Sequence, residues 1–145
     1  SANDPEVDEF ISLRRLNRHI AIVVDSDRSS ANEAINATKV RIESELKQGP
    51  GFAWITQGRE IENYVAPELM EKAVKSVRPK ATALASTDPY HHIWHYEVST
   101  GEVKDDADKV KLAREVARME PNLTVLDLKP QVERLVEFIQ HCNGQ

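Results

Sequence analysis

Residues 19–27 read HIAIVVDSD, and residues 54–64 read WITQGREIENY. Ile20, Ala21, Ile22, Val23 and Val24 form a short, largely β-branched apolar run, which predicts a buried central strand. The run stops at Asp25-Ser26-Asp27. Open α/β sheets bind their ligands at the carboxyl ends of strands, so two acids here are well placed for chemistry. Side-chain alternation sets Asp25 and Asp27 on one side and Ser26 on the other. Such a pair offers hard oxygen donors to a divalent cation, which keeps several waters and can share a substrate phosphate. The plain alternative is a solvated loop start with Asp27 as a helix cap.

The second stretch repeats the pattern. Phe52-Ala53-Trp54-Ile55-Thr56 predicts another short strand, closed by Gln57-Gly58, and Glu60 and Glu62 follow at once. Alone, these two would be surface acids favoured by the dipole of a helix start. Beyond a neighbouring strand tip they converge with Asp25 and Asp27, where they would hold a second metal or share the first. Arg59 beside them suits a phosphate contact or charge balance.

Between the two strands, Arg28-Ser29-Ser30-Ala31-Asn32 offers helix N-caps, and Glu33 to Lys47 has helical character. Ile35, Val40, Ile42 and Leu46 make an imperfect apolar stripe, and Gln48-Gly49-Pro50-Gly51 ends it. Pro67 suits the first turn of a helix running to about Val77. Strand, helix, strand, helix over residues 19–77 predicts an α/β unit with parallel strands. Two strong strands are few for a complete sheet, so further strands are expected upstream. The chain lacks an initiator Met and is read as part of something longer.

On the amino-terminal side, Asn3 to Glu9 read as a polar lead-in, and Phe10, Ile11, Leu13 and Leu16 as a short helix. Beyond Pro79, Ile93, Trp94, Tyr96 and Val98 suggest a strand, with Ser99-Thr100-Gly101 as a turn. A helix is expected from Asp106 to Met119, with Val110, Ala113, Val116 and Ala117 at helical spacing. Asp127 is a cap candidate for a last helix bearing Val132, Leu135, Val136, Phe138 and Ile139, closed by Asn143-Gly144. The division expected is a catalytic portion over 1–78 and a mainly helical extension over 79–145, packed on the same domain.

With 145 residues, 40% hydrophobic and 30% charged, the composition is that of one globular domain rather than a disordered chain. No apolar run approaches the roughly 20 residues of a membrane-spanning helix, and the acidic start is no signal peptide. The single cysteine, Cys142, excludes an internal disulfide and a Cys-rich zinc site, which fits a reducing, cytoplasmic setting. A net charge of −5 argues against a basic nucleic-acid-coating module, but metal-holding acids lower the charge of a nuclease as well. Neither GxxxxGK[ST] nor GxGxxG occurs.

Lys109 and Lys111 fall on the expected third helix, and either, aimed at the acids, would stabilise developing phosphate charge. His91, His92 and His95 raise zinc as a possibility, but without HExxH or a clear helix they read as loop or strand residues with at most a substrate contact. Trp54 and Trp94 read as packing residues.

In combination, IVVDSDRSS, NATKVRIESE and WITQGREIENY resemble the Toprim nuclease region of OLD-family (overcoming lysogenization defect) endonucleases, and DADKVKLAREVA with the LVEFIQ helix resembles that family's tail. The resemblance covers most of the chain from residue 19 onward. It implies a Toprim-like parallel sheet flanked by helices, incomplete at its amino-terminal side, followed by a carboxy-terminal helical segment. It further implies a DNA endonuclease using two divalent metals, Mg²⁺ or Mn²⁺, behind an N-terminal ATPase domain, with a role against phage. By this resemblance Asp25 and Asp27 fall on the DxD ligands, Glu60 and Glu62 on the second acidic segment, and Lys109 on the catalytic lysine, with Lys111 as fallback. DNA and the ATPase domain are then the partners, with no membrane, and any homo-oligomer contact would lie in the ATPase domain. The family's sheet begins with a strand ending in glutamate, and no such element precedes residue 19. A haloacid-dehalogenase-type phosphohydrolase also places its nucleophile in a strand-end DxD, but Arg28-Ser29 fits its small Gly-Thr continuation poorly. A non-catalytic DNA-binding or assembly module with vestigial acids is the third reading.

Overall fold

Two parallel strands carry the acids. Ala21–Val24 (β1) pairs with Phe52–Ile55 (β2), Ala21 opposite Phe52 and Val24 opposite Ile55. Parallel neighbours need a crossover, which Ala37–Lys47 (α1) supplies. The structure is a computed structural model, and it describes residues 17–144 together with Pro5, Asp8, Glu9, Ser12 and Arg15. The helix expected on Phe10, Ile11, Leu13 and Leu16 lies outside the described residues.

The burial of the two strands differs from the expectation. Phe52 and Trp54 of β2 are buried, whereas the residues of β1 are half-buried or exposed, with Val23 43% exposed. Among the described residues the two strands have only each other as strand partners, but Leu126, Leu128, Val132, Leu135 and Phe138 pack against Phe52 and Trp54 of β2, whereas no such cluster covers β1. Among the described residues β1 is therefore an edge strand and not a buried central one.

α1 also starts later than its apolar stripe suggests. Asn36 is its cap, its side-chain oxygen accepting from the Thr38 N–H at 2.8 Å. The preceding polar stretch folds as a turn instead, with the Glu33 carboxylate accepting from the Ser29 N–H (2.6 Å) and hydroxyl (2.5 Å). Of the expected stripe, Leu46 is buried and Val40 is exposed.

After a 3₁₀ turn at Ile61–Tyr64, Pro67–Val77 (α2) opens on its proline. Ala81–Leu84 (β3), Tyr96–Val98 (β4) and Val103–Lys104 (β5) then form an antiparallel sheet in that order. Lys109–Val116 (α3) begins at Asp108, whose carboxylate accepts from the Val110 and Lys111 amides. Leu128–Cys142 (α4) ends at Asn143, and Gly144 takes the left-handed conformation (φ 71°) that closes helices. The chain is thus mixed α/β, with a small parallel sheet, helices and a carboxy-terminal helix. Residues 79–145 are less uniformly helical than expected, because they open with the antiparallel sheet.

Two apolar cores hold these elements. Met70, Ala73 and Val74 of α2 pack with Ala81, Leu84, Ile93, Tyr96, Ala107 and Leu112, so one core spans both sides of the expected division after residue 78. Phe52, Trp54 and Tyr64 pack against Leu126, Leu128, Val132, Leu135 and Phe138, which seats α4 against β2. Val136 and Ile139 of α4 are exposed. Among the described residues no helix is long and apolar enough to cross a membrane.

Tyr64 joins the two halves of the second core. Its hydroxyl accepts from Trp54 Nε1 and the Gln57 N–H, each at 3.0 Å, and donates to Asp127 Oδ1 at 2.5 Å. Asp127 holds the N-cap position of α4, but its side chain does not cap the helix as expected. It serves Tyr64 and Gln131 instead. Burial and the bond to Asp127 push the Tyr64 hydroxyl up to about 12. The folded state holds this proton more tightly than the unfolded one, so the contribution is complete below about pH 10 and is lost as pH rises through 12. Tyr64→Phe, which leaves Asp127 short of a donor, is expected to cost about 1–3 kcal/mol at neutral pH. In thermal melts its deficit against the wild type should shrink at strongly alkaline pH; a deficit constant across that range would refute the assignment.

Candidate functional site

The turn after β1 is pinned from beneath by Ser26. Its N–H donates to Thr56 Oγ1 (2.9 Å) and its hydroxyl to the Gly58 carbonyl (2.6 Å), and Ser26 and Thr56 are both buried. Strand alternation stops here, because β1 ends at Val24 and Asp27 has left the extended conformation that alternation requires. Asp27 sits at φ 58°, in the left-handed region that Asp tolerates better than most residues, and its N–H donates to the Arg59 carbonyl at 2.8 Å. The two strand-tip segments are thereby joined.

Asp25 is the hinge of the acid group. Its Oδ1 accepts from the Ile61 N–H at 2.7 Å, between Glu60 and Glu62. Burial raises its pKa; the Ile61 N–H partly opposes this, and the charges of Glu62, Glu60 and Asp27 add to the rise. The other three sequence-nominated acids therefore all act on the Asp25 carboxyl group. Two lysines are interleaved with them. Lys39 of α1 donates to the Asp25 carbonyl (2.6 Å) and bonds to the Asp27 carboxylate. Lys109 reaches Glu62 at 2.8 Å and Glu60 at 3.5 Å.

Lys109 gets there through the rotation of α3. Its expected stripe of Val110, Ala113, Val116 and Ala117 is not the buried one: Val110 is exposed and Leu112 is buried. Leu112 and Val116, four residues apart on one face, pack into the α2 core. Lys109 lies on that same face, three residues before Leu112, and is carried to the acids. Lys111 falls on another side and is exposed. Burial disfavours the Lys109 charge, but the hydrogen bond and charge of Glu62, with the charge of Glu60, outweigh it and raise its pKa. It is a fixed cation at neutral pH.

Glu60 is the most enclosed of the acids, 6% exposed. Trp94 Nε1 donates to its Oε1 at 2.6 Å, and His92 Nδ1 lies 3.1 Å from its Oε2. Trp94 also presents its ring to Lys109 Nζ, 4.9 Å from the centroid. Trp94 is thus part of the site as well as of the packing. His92, Trp94 and Lys39 are site residues that sequence reasoning did not nominate. Their only advance signal was a polar-tipped aromatic on an expected strand, a histidine two residues before it that reads as at most a substrate contact, and a lysine on the crossover helix; the strand itself begins only at Tyr96.

The loop bearing His92 is tied to the second acidic segment. The Arg59 N–H donates to the Pro89 carbonyl (2.8 Å), and Asn63, which accepts from the Glu60 N–H (2.9 Å), donates to the His91 carbonyl (2.8 Å). Gly58 is required by this approach, since a Cβ there would lie 2.7 Å from the Pro89 oxygen and 3.0 Å from the Asn63 Cβ. Burial, then the neighbouring His92, lowers the pKa of His95.

Asp25, Asp27 and Glu62 supply only hard oxygen donors, and their mutual repulsion at Asp25 is what a dication relieves, so their chemistry fits Mg²⁺ or Mn²⁺. Glu60 fits a ligand role less well, because both its oxygens are engaged. As the side chains stand, no three His, Cys, Asp or Glu among the described residues converge closely enough to hold an ion, and this includes His91, His92 and His95. Lys39 and Lys109 provide the counter-charge instead. No family model matches the chain, and no curated protein or solved structure compared with it matches either.

Proposed function

We propose that the chain carries the Toprim-type nuclease centre of an OLD-family endonuclease, hydrolysing DNA phosphodiester bonds with divalent metal. The observation that supports this reading most is the convergence at Asp25: acids from two strand tips and a lysine from α3, widely separated in sequence, meet at one end of a parallel strand pair. In this reading Asp25, Asp27 and Glu62 hold the cations, and Lys39 yields Asp27 when they bind. Glu60 orients Lys109 and His92. Lys109 places a fixed positive charge where phosphate charge develops. A bound divalent cation would supply Lewis-acid stabilisation of the phosphate and an activated attacking water. The ATPase partner domain, a role against phage and assembly through that domain belong to the same proposal.

The test is nicking of supercoiled plasmid in Mn²⁺ or Mg²⁺ by this chain and by its Asp27→Asn variant. Metal-dependent nicking is expected for the wild type and at least a tenfold loss in the variant, by analogy with the roughly 10–100-fold cost of disturbing metal-site residues. Nicking that survives chelation, or that neither this chain nor one extended upstream performs, overturns the reading.

A further inference from the structure

Beside the acid group lies a cleft of about 440 Å³, within the size range of small-ligand sites. It runs between the turn after β1 and the loop joining β3 to β4, and Arg59, Tyr90, His92 and His95 line it with Ser29 and Ser86. On a chain of net charge −5, no carboxylate is among the lining residues. Among the described residues no hydrogen bond or ion pair engages the Arg59 guanidinium. Its charge is felt by Glu33, whose carboxylate is held by Ser29 and does not pair with it. The Arg59 backbone is clamped at both ends, by Pro89 and by Asp27, so the side chain springs from a fixed point one residue from Glu60.

The other wall is aromatic. The His92 and His95 rings lie 4.9 Å apart at 33°, and Trp94 meets His95 edge-on at 4.4 Å. Tyr90 also lines the cleft and has the Arg28 guanidinium over one face of its ring at 5.6 Å. A fixed, unpaired arginine next to flat rings is the combination that binds a nucleic-acid strand: the fork takes a phosphate, and the rings take a base face.

We propose that this cleft is a strand-binding subsite, in which Arg59 holds a backbone phosphate next to the scissile one and Tyr90 with the His92–His95 pair packs against the attached base. The inference rests on the nuclease reading for its neighbour, the scissile phosphate, but its binding step needs no metal. A free nucleotide offers the same phosphate and base; the strand is favoured because the cleft opens beside the acids and Arg59 directly precedes Glu60.

The experiment is fluorescence anisotropy of a labelled single-stranded oligothymidylate of roughly ten nucleotides, in EDTA at low ionic strength, repeated across a salt series. Arg59→Ala is expected to weaken binding about tenfold or more and to reduce the salt slope by about 0.7, the loss of one phosphate contact on a single strand. Arg59→Lys should keep the slope. Tyr90→Ala should weaken binding about fivefold or more with the slope unchanged. Since no side-chain bond among the described residues holds Arg59, its variants should melt with the wild type. No binding of the oligonucleotide, or binding and slope indifferent to Arg59, overturns the proposal. So does displacement by thymidine 5′-monophosphate as effective as by unlabelled strand, which would make this a free-nucleotide site. Arg59-dependent binding without nicking would refute the nuclease reading alone, and nicking that Arg59→Ala leaves untouched would refute the subsite alone.

Discussion

Lys109→Met is expected to slow plasmid nicking by about 10²–10³-fold, the usual cost of removing one preorganised charge partner of a transition state. The fold should tolerate the change. Trp94 and His92 continue to engage Glu60, and Glu62 retains some solvent access, so no buried carboxylate is stranded. The lost ion pairs involve a lysine side chain 45% exposed, which limits their contribution to about 1 kcal/mol or less. Single-turnover rates with thermal melts separate the two effects. Lys111→Met is the control, since that residue is exposed on another side of α3 and should nick at the wild-type rate. Equal losses in both variants, or none in Lys109→Met, would remove Lys109 from the mechanism.

Asp25→Asn is expected to abolish nicking by about a hundredfold or more and yet to stabilise the metal-free protein. The side chain keeps its shape, and its oxygen can still accept from the Ile61 N–H. What it loses is a charge that burial and three neighbouring acids disfavour. Because the folded carboxyl has a raised pKa, ionised Asp25 costs the folded state stability as pH rises through that pKa, and the amide is free of this cost. Divalent metal should reverse the order. Saturation at a hundred times Kd stabilises a binding-competent fold by about 2.7 kcal/mol. The wild-type Tm should therefore rise with Mn²⁺, and the variant's should scarcely move. Identical metal shifts in both proteins would show that Asp25 holds no metal.

The readable parts of the fold were those with local causes. Val23-Val24 running into Asp25, Pro67 opening α2, Pro50 and Gly51 after α1, and Gly144 after α4 each announce an element by their own backbone preferences. The antiparallel sheet was read only in part. β3 and β5 are four and two residues long, ATAL and VK, too short to show alternation, and their pairing with β4 is made across intervening loops. β1 is less buried than its composition suggests because an apolar run does not report which strand a helix covers, and α4 packs on β2.

The five nominated site residues were legible as chemical types at strand tips and on a helix, and from sequence Lys109 and Lys111 were separable only by the family resemblance. By itself the sequence determined the α/β order, the acids ending β1 and following β2, and the placement of the lysines on α3. Only the tertiary structure decided which side chains meet. Packing of Leu112 and Val116 against α2 turns Lys109 toward Glu60 and Glu62, and the 89–95 loop brings His92 and Trp94 onto Glu60. Helix periodicity and strand endings are set by neighbours a few residues away. The partners of Glu60, by contrast, lie 32, 34 and 49 residues along the chain, and only the burial of apolar faces between them brings them within reach.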